Sequence, residues 1–506
     1  MSKCSQILIK VFRILFGITV GFLFISSLFV TATHEVFENG FKQEFAHVSN
    51  INPLISIVLL IFDIAIIYLF NKILDKRKDL NIEKATAVVT IISFIVSVVY
   101  INLVKSVPAA DQEFCVTAAS QINVGDYSSF LKGHYLSNYP HLLGFVALER
   151  LLFKIFGEEN FMAVRYLNAL TVPSIVFFGS KITGLLTNDD KKARAFYLLL
   201  SGTCLPIYGY TLYVYGDMLG IAFSVISIYM FLSAVKTKKT RYYIGLCASI
   251  VLAIPMRKML IVVPIAMLVV LILRLISKFN YKDVVLGAVV VASMVIALFY
   301  PKLLYLPNKV ADNSSVPTAA TIDMGFNVNG DYYGWYNYYE LEILAANDFD
   351  EDFTKQQAIE EINTIHIPKL IRDPKYAAKF YYEKINSQWQ SPMFQAIVSN
   401  DNLDGPQNKI TMSIFFGKLG ACMDAFMKGY LLLFYMCMLL YAVFFLKKDE
   451  PYENYLIAIA MFGGFIVQLL WEAKARYCFP YFVMLLPVLA RSAKEMATKI
   501  RIRKAR

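Results

Sequence analysis

The feature that most limits what this chain can fold into is a recurrence of apolar runs about 17 to 25 residues long, roughly twelve of them, separated by short polar stretches. A helix rises about 1.5 Å per residue, so such a run crosses the hydrocarbon core of a bilayer, where backbone amides must be bonded within their own segment. The chain therefore reads as an all-α polytopic membrane protein with about 12 transmembrane helices. Its 57% hydrophobic and 17% charged residues over 506 positions fit no soluble class. The net charge of +11 lies in short basic clusters between apolar runs, the distribution of cytoplasmic loops and not of a nucleic-acid surface. No glycine-rich phosphate loop is present, which argues against an ATP-driven pump. Cys204, Cys247, Cys437 and Cys478 lie in or near apolar runs, so no disulfide framework is visible, while Cys115 and Cys422 fall on one predicted side.

The first run, about residues 7–30, follows Lys3, Lys10 and Arg13 and precedes Glu35, Glu38 and Glu44, which puts the N-terminus inside. It lacks a small-residue cleavage site and reads as a retained span. The basic loop at Lys72, Lys76, Arg77, Lys78 and Lys84 then sets Asp111 outside. Residues 1–104 hold three spans, and residues 105–161 form the first large outer loop. There Leu142, Leu143, Val146, Leu151, Leu152 and Ile155 recur at helical spacing and predict amphipathic helices at the outer interface. Residues 162–300 hold spans four to nine. Residues 301–425 lose hydrophobicity and gain Asn, Asp, Tyr and Lys, which predicts a mixed or mainly helical extracytoplasmic domain, with helix boundaries near Pro368 and Pro374. Residues 426–506 hold the last three spans, the inner loop Lys447-Lys448 and a basic tail. Both termini come out cytoplasmic. All three tryptophans and all five histidines fall on the predicted outer side, so the chemistry is expected there.

Ionisable groups at a membrane rim are functional candidates by default. Asp111, Glu113, His134, Tyr139, His141 and Arg165 gather in and just after the first outer loop. Asp217 stands alone between two apolar runs, Arg257 and Lys258 end a short seventh run, and Trp471-Glu-Ala-Lys-Ala-Arg476-Tyr477 precedes the last span. Plain alternatives stand beside each. Asp111 and Glu113 could be solvated loop acids, Asp217 a helix cap, Arg257 and Lys258 snorkelling anchors, and Arg165 a partner in structural ion pairs. Trp335 could belong to a domain core and Trp471 to an interfacial belt. No His or Cys spacing supports zinc; no cofactor is evident, and a divalent metal is left open.

The series Asp111, Gly125-Asp126-Tyr127, Tyr135-Leu-x-x-Tyr139-Pro140, Phe156-Gly157 with Arg165, then Asp217, Arg257-Lys258 and Trp471 to Tyr477 resembles the GT-C superfamily of membrane glycosyltransferases. These use polyprenyl-phosphate sugar donors, and the nearest likeness is to bacterial relatives of the protein O-mannosyltransferases and the lipid A aminoarabinose transferase. The resemblance covers most of the chain after about Ala85. It departs from the pattern in two ways: the acidic loop follows the third span, and Asp111-Gln-Glu113 is not the adjacent acidic pair of many members, which leaves the partner acid undecided. The resemblance implies Asp111 as catalytic base, with Glu113 and Asp217 as further acids. A carboxylate at the rim can take the acceptor's proton. It implies Arg257, Lys258, Arg476 and Arg165 around the donor phosphate, where fixed cations favour a leaving group that gains charge. It implies His134, Tyr139, His141, Trp335, Trp471 and Tyr477 as substrate contacts. The expectation is a multi-pass cell-membrane enzyme that transfers a sugar from polyprenyl phosphate to an envelope glycan or polymer on the outer face. The rivals are a polysaccharide polymerase or ligase, and a transporter or flippase, which would show paired repeats and midplane charges.

Overall fold

The computed structural model describes residues 3–34, 36–38, 41–43, 45–77, 79–305, 314–446 and 450–504. Glu35, Glu44, Lys78, Lys447, Lys448 and Arg506, which enter the topology argument, lie outside the described residues. Nine helices among the described residues are long and apolar enough to cross a bilayer: Ser5–Phe29, Pro53–Lys76, Ile82–Leu103, Phe161–Leu186, Asp217–Thr237, Lys258–Ser277, Tyr281–Leu303, Lys418–Phe445 and Tyr452–Leu470. A tenth arises if Lys191–Thr203 and Leu205–Leu212, bent by 52° beside Pro206, are one span. The expected count of twelve is not confirmed on this measure, which leaves out two helices. The run that ends at Arg257 forms Thr240–Met256, only 17 residues long, and the last helix, Phe479–Lys504, carries Arg491, Lys494 and Glu495 within its length.

The surfaces of these helices are inverted relative to a soluble protein. On Pro53–Lys76, Val58, Ile61 and Phe62 are exposed while Ser56, Asp63 and Asn71 are buried, as expected where the outer solvent is lipid. Ser93 and Ser97 of Ile82–Leu103 donate to the Thr90 and Ser93 carbonyls, each at 2.8 Å, so their hydroxyls cross the apolar layer bonded. Asp217–Thr237, buried on most of its surface, packs along Thr240–Met256 and Phe161–Leu186. Phe479–Lys504 packs on Lys191–Thr203, and Pro53–Lys76 on Lys418–Leu440.

Beyond the first helix the chain is extended: Val30–Thr33 pairs antiparallel with His47–Asn50. Asp111–Asn123 and Leu143–Phe156 are the amphipathic helices of the loop 105–161, and they pack on each other. Residues 314–425 form short helices and a two-residue hairpin at Val328–Asn329 and Tyr332–Tyr333; Pro368 and Pro374 stand at the starts of Ile367–Arg372 and Pro374–Trp389. At the end of the bundle away from Asp111 the charges pair closely. Lys181 and Arg194 reach Glu83 at 2.7 Å each, Lys238 and Arg274 share Asp283 at 2.6 and 3.0 Å, and Lys494 meets Asp190 at 2.8 Å.

Candidate active site

Asp111 opens the helix Asp111–Asn123, where the helix dipole favours a carboxylate. Ala110, just before it, holds φ 51°, a left-handed conformation that costs an L residue energy and fixes how the helix starts. Gln112 then ties this helix to two other segments. Its amide donates to Ser399 O at 3.0 Å and accepts from Val214 N at 2.8 Å, which draws Tyr213 and Tyr215 beside Asp111.

Asp217 and Arg257 meet because two glycines remove side chains between their backbones. A Cβ on Gly216 would lie 1.9 Å from Met256 O, and one on Gly220 would lie 3.0 Å from the Arg257 Cβ. Arg257 Nε stands 3.2 Å from Asp217 Oδ1, in charge contact but not aligned as a hydrogen bond. Both groups are buried. Arg476 comes from the segment 471–477, which is clamped on three sides. Gly334 O accepts from Ala473 N at 2.7 Å, Gln395 Oε1 accepts from Arg476 N at 2.9 Å, and Gly325 approaches so closely that a Cβ would lie 2.3 Å from Leu470 O.

The result is two guanidiniums over the same rings. Arg257 lies 5.2 Å from the Tyr215 ring and 5.0 Å from Tyr477; Arg476 lies 5.4 and 5.5 Å from the same two and 5.1 Å from Tyr213. Arg476 Nη2 is 3.8 Å from Asp111 Oδ2, and Tyr135 donates to Asp111 Oδ1 at 3.1 Å. Asp111 keeps 43% of its side chain exposed. Burial acts to raise its carboxyl, but Arg476, Lys474, the Tyr135 hydroxyl and Arg257 outweigh it and hold the group below its ordinary value.

Other residues extend the cleft. Tyr477 donates to Glu472 Oε2 at 2.7 Å, and Lys474 meets Glu472 at 3.1 Å while standing over Trp335 and Tyr336 at 5.8 and 5.3 Å. Tyr139 donates to the buried Glu340 at 2.9 Å. His141 lies open beside Tyr139, ring to ring at 6.0 Å. The surrounding protein, then Lys258 and Arg257, push it down to about 3 against the pull of Asp111; as the ring is open to water, the two fixed cations are the firmer cause.

Several expected site residues lie elsewhere. Glu113 is exposed, about 200° around the helix from Asp111, and does not join the cluster. Arg165 is spent inside the wall: Nε donates to Leu212 O at 2.9 Å, and Nη1 and Nη2 donate to Ser106 O and Oγ at 2.8 and 3.0 Å. That leaves it a strap between loops. Lys258 is exposed and feels Lys302 and Glu351. His134 is exposed at the start of Tyr135–Asn138. Trp335 is buried against His34, 5.7 Å away, so its ring is wall and not platform. Trp471 caps the helix Leu456–Leu470. Cys115 is buried and Cys422 exposed, both as free thiols. Among the described residues no group of three or more His, Cys, Asp and Glu side chains is arranged to hold a metal ion. The residues that sequence reasoning passed over, Gln112, Tyr135, Tyr213, Tyr215, Glu472 and Lys474, all lie within a few positions of ones it named.

The structure is a multi-pass helical bundle with carboxylates and arginines collected at one end. Residues 141–305, about a third of the chain, match the family model described as dolichyl-phosphate-mannose-protein mannosyltransferase. The match takes in Asp217 and Arg257 but neither Asp111 nor Arg476. Similar solved structures include the archaeal oligosaccharyltransferase AglB from Archaeoglobus fulgidus, in complex with an inhibitory peptide and a dolichol-phosphate. It is 14% identical, with a TM-score of 0.44 over 84% of this chain and 51% of that one, so this chain spans about half its length. ArnT from Cupriavidus metallidurans is 13% identical in both its apo state and bound to undecaprenyl phosphate. Its TM-scores are 0.36 and 0.35, over 81% and 80% of this chain and 77% of that one. A search of curated proteins finds no match.

Proposed function

We propose that the chain is a membrane glycosyltransferase that moves a sugar from a polyprenyl-phosphate donor to a cell-envelope glycan or polymer acceptor on the outer face of the cytoplasmic membrane. The observation that carries this reading is the pair Arg257 and Arg476 over the shared rings of Tyr215 and Tyr477, with Asp111 3.8 Å from one of them. Asp111 takes the proton of the acceptor hydroxyl as that oxygen bonds to the anomeric carbon. The bond from that carbon to the phosphate oxygen breaks, its electron pair stays with the phosphate, and the fixed arginines stabilise the growing charge.

The loose contact between Arg476 and Asp111 suits this order of events. With Arg476 and Lys474 facing it, Asp111 is ionised but weakly basic. A donor phosphate on Arg476 offsets that cation, and Asp111 gains basicity once the donor is in place. The description of the matched family, which names dolichyl-phosphate-mannose, supports a lipid phosphate as carrier, and the basic loops support cytoplasmic termini.

The test is transfer by the purified protein in lipid, with a panel of radiolabelled undecaprenyl-phosphate sugars and an envelope glycan acceptor. Release of one sugar by the wild type and not by Asp111→Asn is expected. No release across the panel, or equal release by both proteins, would reject the reading.

A further inference from the structure

The segment from Glu351 to Trp389 changes charge along its length. Its first helix, Glu351–Glu361, bears Glu351, Asp352, Glu360 and Glu361 against Lys355. After the wider π turn Ile362–His366, the chain carries Lys369, Arg372, Lys375, Lys379 and Lys384 against Asp373 and Glu383. Within that basic half Ile367 and Ile371 stand one turn apart on Ile367–Arg372, 38 and 72% exposed.

The next helix fixes the height of this face. Tyr382 of Pro374–Trp389 lies edge-on to Phe22, ring to ring at 6.4 Å. Phe22, itself partly buried, shares one stripe of the span Ser5–Phe29 with the exposed Ile18, Ile25 and Phe29, at the spacing of a single helix face. That stripe is the span's lipid-facing side. Just past the helix end, Gln390 Nε2 donates to Leu23 O at 3.0 Å, one residue from Phe22. Both anchor points therefore sit at one level of the first span, about 10 Å short of its end at Phe29. Pro374–Trp389 therefore meets the first span near the bilayer border through Tyr382 and, just past its end, Gln390.

We propose that Ile367 and Ile371, flanked by Lys369, Arg372 and Lys375, dock on the anionic headgroup layer of the leaflet on the Asp111 side and anchor the polar segment 314–425 to the membrane. The apolar pair enters the acyl boundary and the cations meet lipid phosphates, the pattern of an interfacial helix. The contact of Tyr382 with Phe22 ties the following helix to the first span, and the acids before the π turn stay in water. Nothing in this inference depends on the proposed chemistry.

The test uses the full chain in vesicles of phosphatidylcholine and phosphatidylglycerol, with the exposed Cys422 changed to serine. A fluorophore is placed at Ile371→Cys or, as control, at Phe353→Cys, whose side chain is 64% exposed in the acidic half. The dye at 371 is expected to be quenched by lipids brominated near the headgroup and shielded from aqueous iodide, and the dye at 353 to show the reverse. Arg372→Glu with Lys375→Glu should weaken lipid quenching at 371 in the anionic vesicles and leave it unchanged in phosphatidylcholine alone. Iodide quenching at 371 as strong as at 353 would overturn the proposal. So would shielding of 371 from both quenchers, the result of contact with a second copy of the chain.

Discussion

At the end of the bundle away from Asp111, Glu83 receives Lys181 and Arg194 at 2.7 Å each, and Asp283 receives Lys238 and Arg274 at 2.6 and 3.0 Å; at the other end Arg476 stops 3.8 Å from Asp111, and Arg257 touches Asp217 without hydrogen-bond alignment. The first arrangement neutralises charge by short contacts between helices and leaves little attraction for anything else. The second sets its cations over the rings of Tyr213, Tyr215 and Tyr477, 5.1 to 5.5 Å from their centres. A guanidinium carries its donors in its plane, so stacking on a ring is compatible with gripping a phosphate edge-on. Similar residues thus build a fastening at one end and, in the proposed function, a receptor for an anion at the other.

Removing one carboxylate from each end gives the largest contrast. Asp111→Asn should cut transfer on the order of 100-fold or more at normal folded yield. Asp283→Asn, which strands Lys238 and leaves Arg274 with Glu453 alone, should lower yield and melting temperature while turnover per folded molecule holds. Similar losses of turnover in both variants would erase the distinction. Next in size, Arg257→Gln and Arg476→Gln should each weaken donor binding by roughly one to two powers of ten, with the double variant less than additive if both hold one phosphate. Titration of donor into each protein decides this, and normal affinity in all three would return these arginines to the class of fastenings.

A smaller effect is expected where only geometry changes. Gly216→Ala places a Cβ against Met256 O and should separate Asp217 from Arg257, costing about tenfold in transfer per folded molecule. Gly17→Ala, where nothing lies within 4 Å, should be silent; equal behaviour of the two would show that the close approach does not matter. The smallest effect concerns pH. Burial first, then the charge of Glu472, raises Glu340 to about 7 against the hydrogen bonds of Thr321 and Tyr139 and the charge of Lys474. A carboxyl whose folded value lies above its unfolded value of about 4.3 favours the folded state while protonated, so it costs stability as pH rises from about 5 to 8. Glu340→Gln should flatten the melting profile across that window, and an unchanged slope would remove Glu340 as the titrating group.

The apolar runs were legible because lipid imposes one length and one composition on any helix that crosses it. Even the short Thr240–Met256 shows in the sequence, bounded by Arg241 and by Pro255 with Arg257. Asp217 and Arg257 could be singled out by their isolation, but not as partners, since their meeting depends on Gly216 and Gly220 and glycine is silent about which backbone it admits. Arg165 shows the opposite failure. It has the local pattern of a rim cation, yet its acceptors on Leu212 and Ser106 lie 47 and 59 positions away. Glu113 could have been set aside from the helical period alone. Glu472 and Lys474 were inside a quoted motif, but their place beside Trp335 and Tyr336 needed the fold of a segment more than 130 residues earlier.

The clamped segment 471–477 sets when a nascent copy becomes competent. A ribosome that has delivered residues up to Leu470 has supplied all nine long spans among the described residues, together with Asp111, Asp217 and Arg257, but only one of the two arginines proposed to hold the phosphate. Arg476, Tyr477 and Glu472 arrive together, when one short turn settles between Gly325, Gly334 and Gln395. A half-translated copy would therefore be a poor trap for its lipid donor, and water would gain no early access to an activated sugar. The timing of competence is a by-product of chain order and calls for no separate inhibitor.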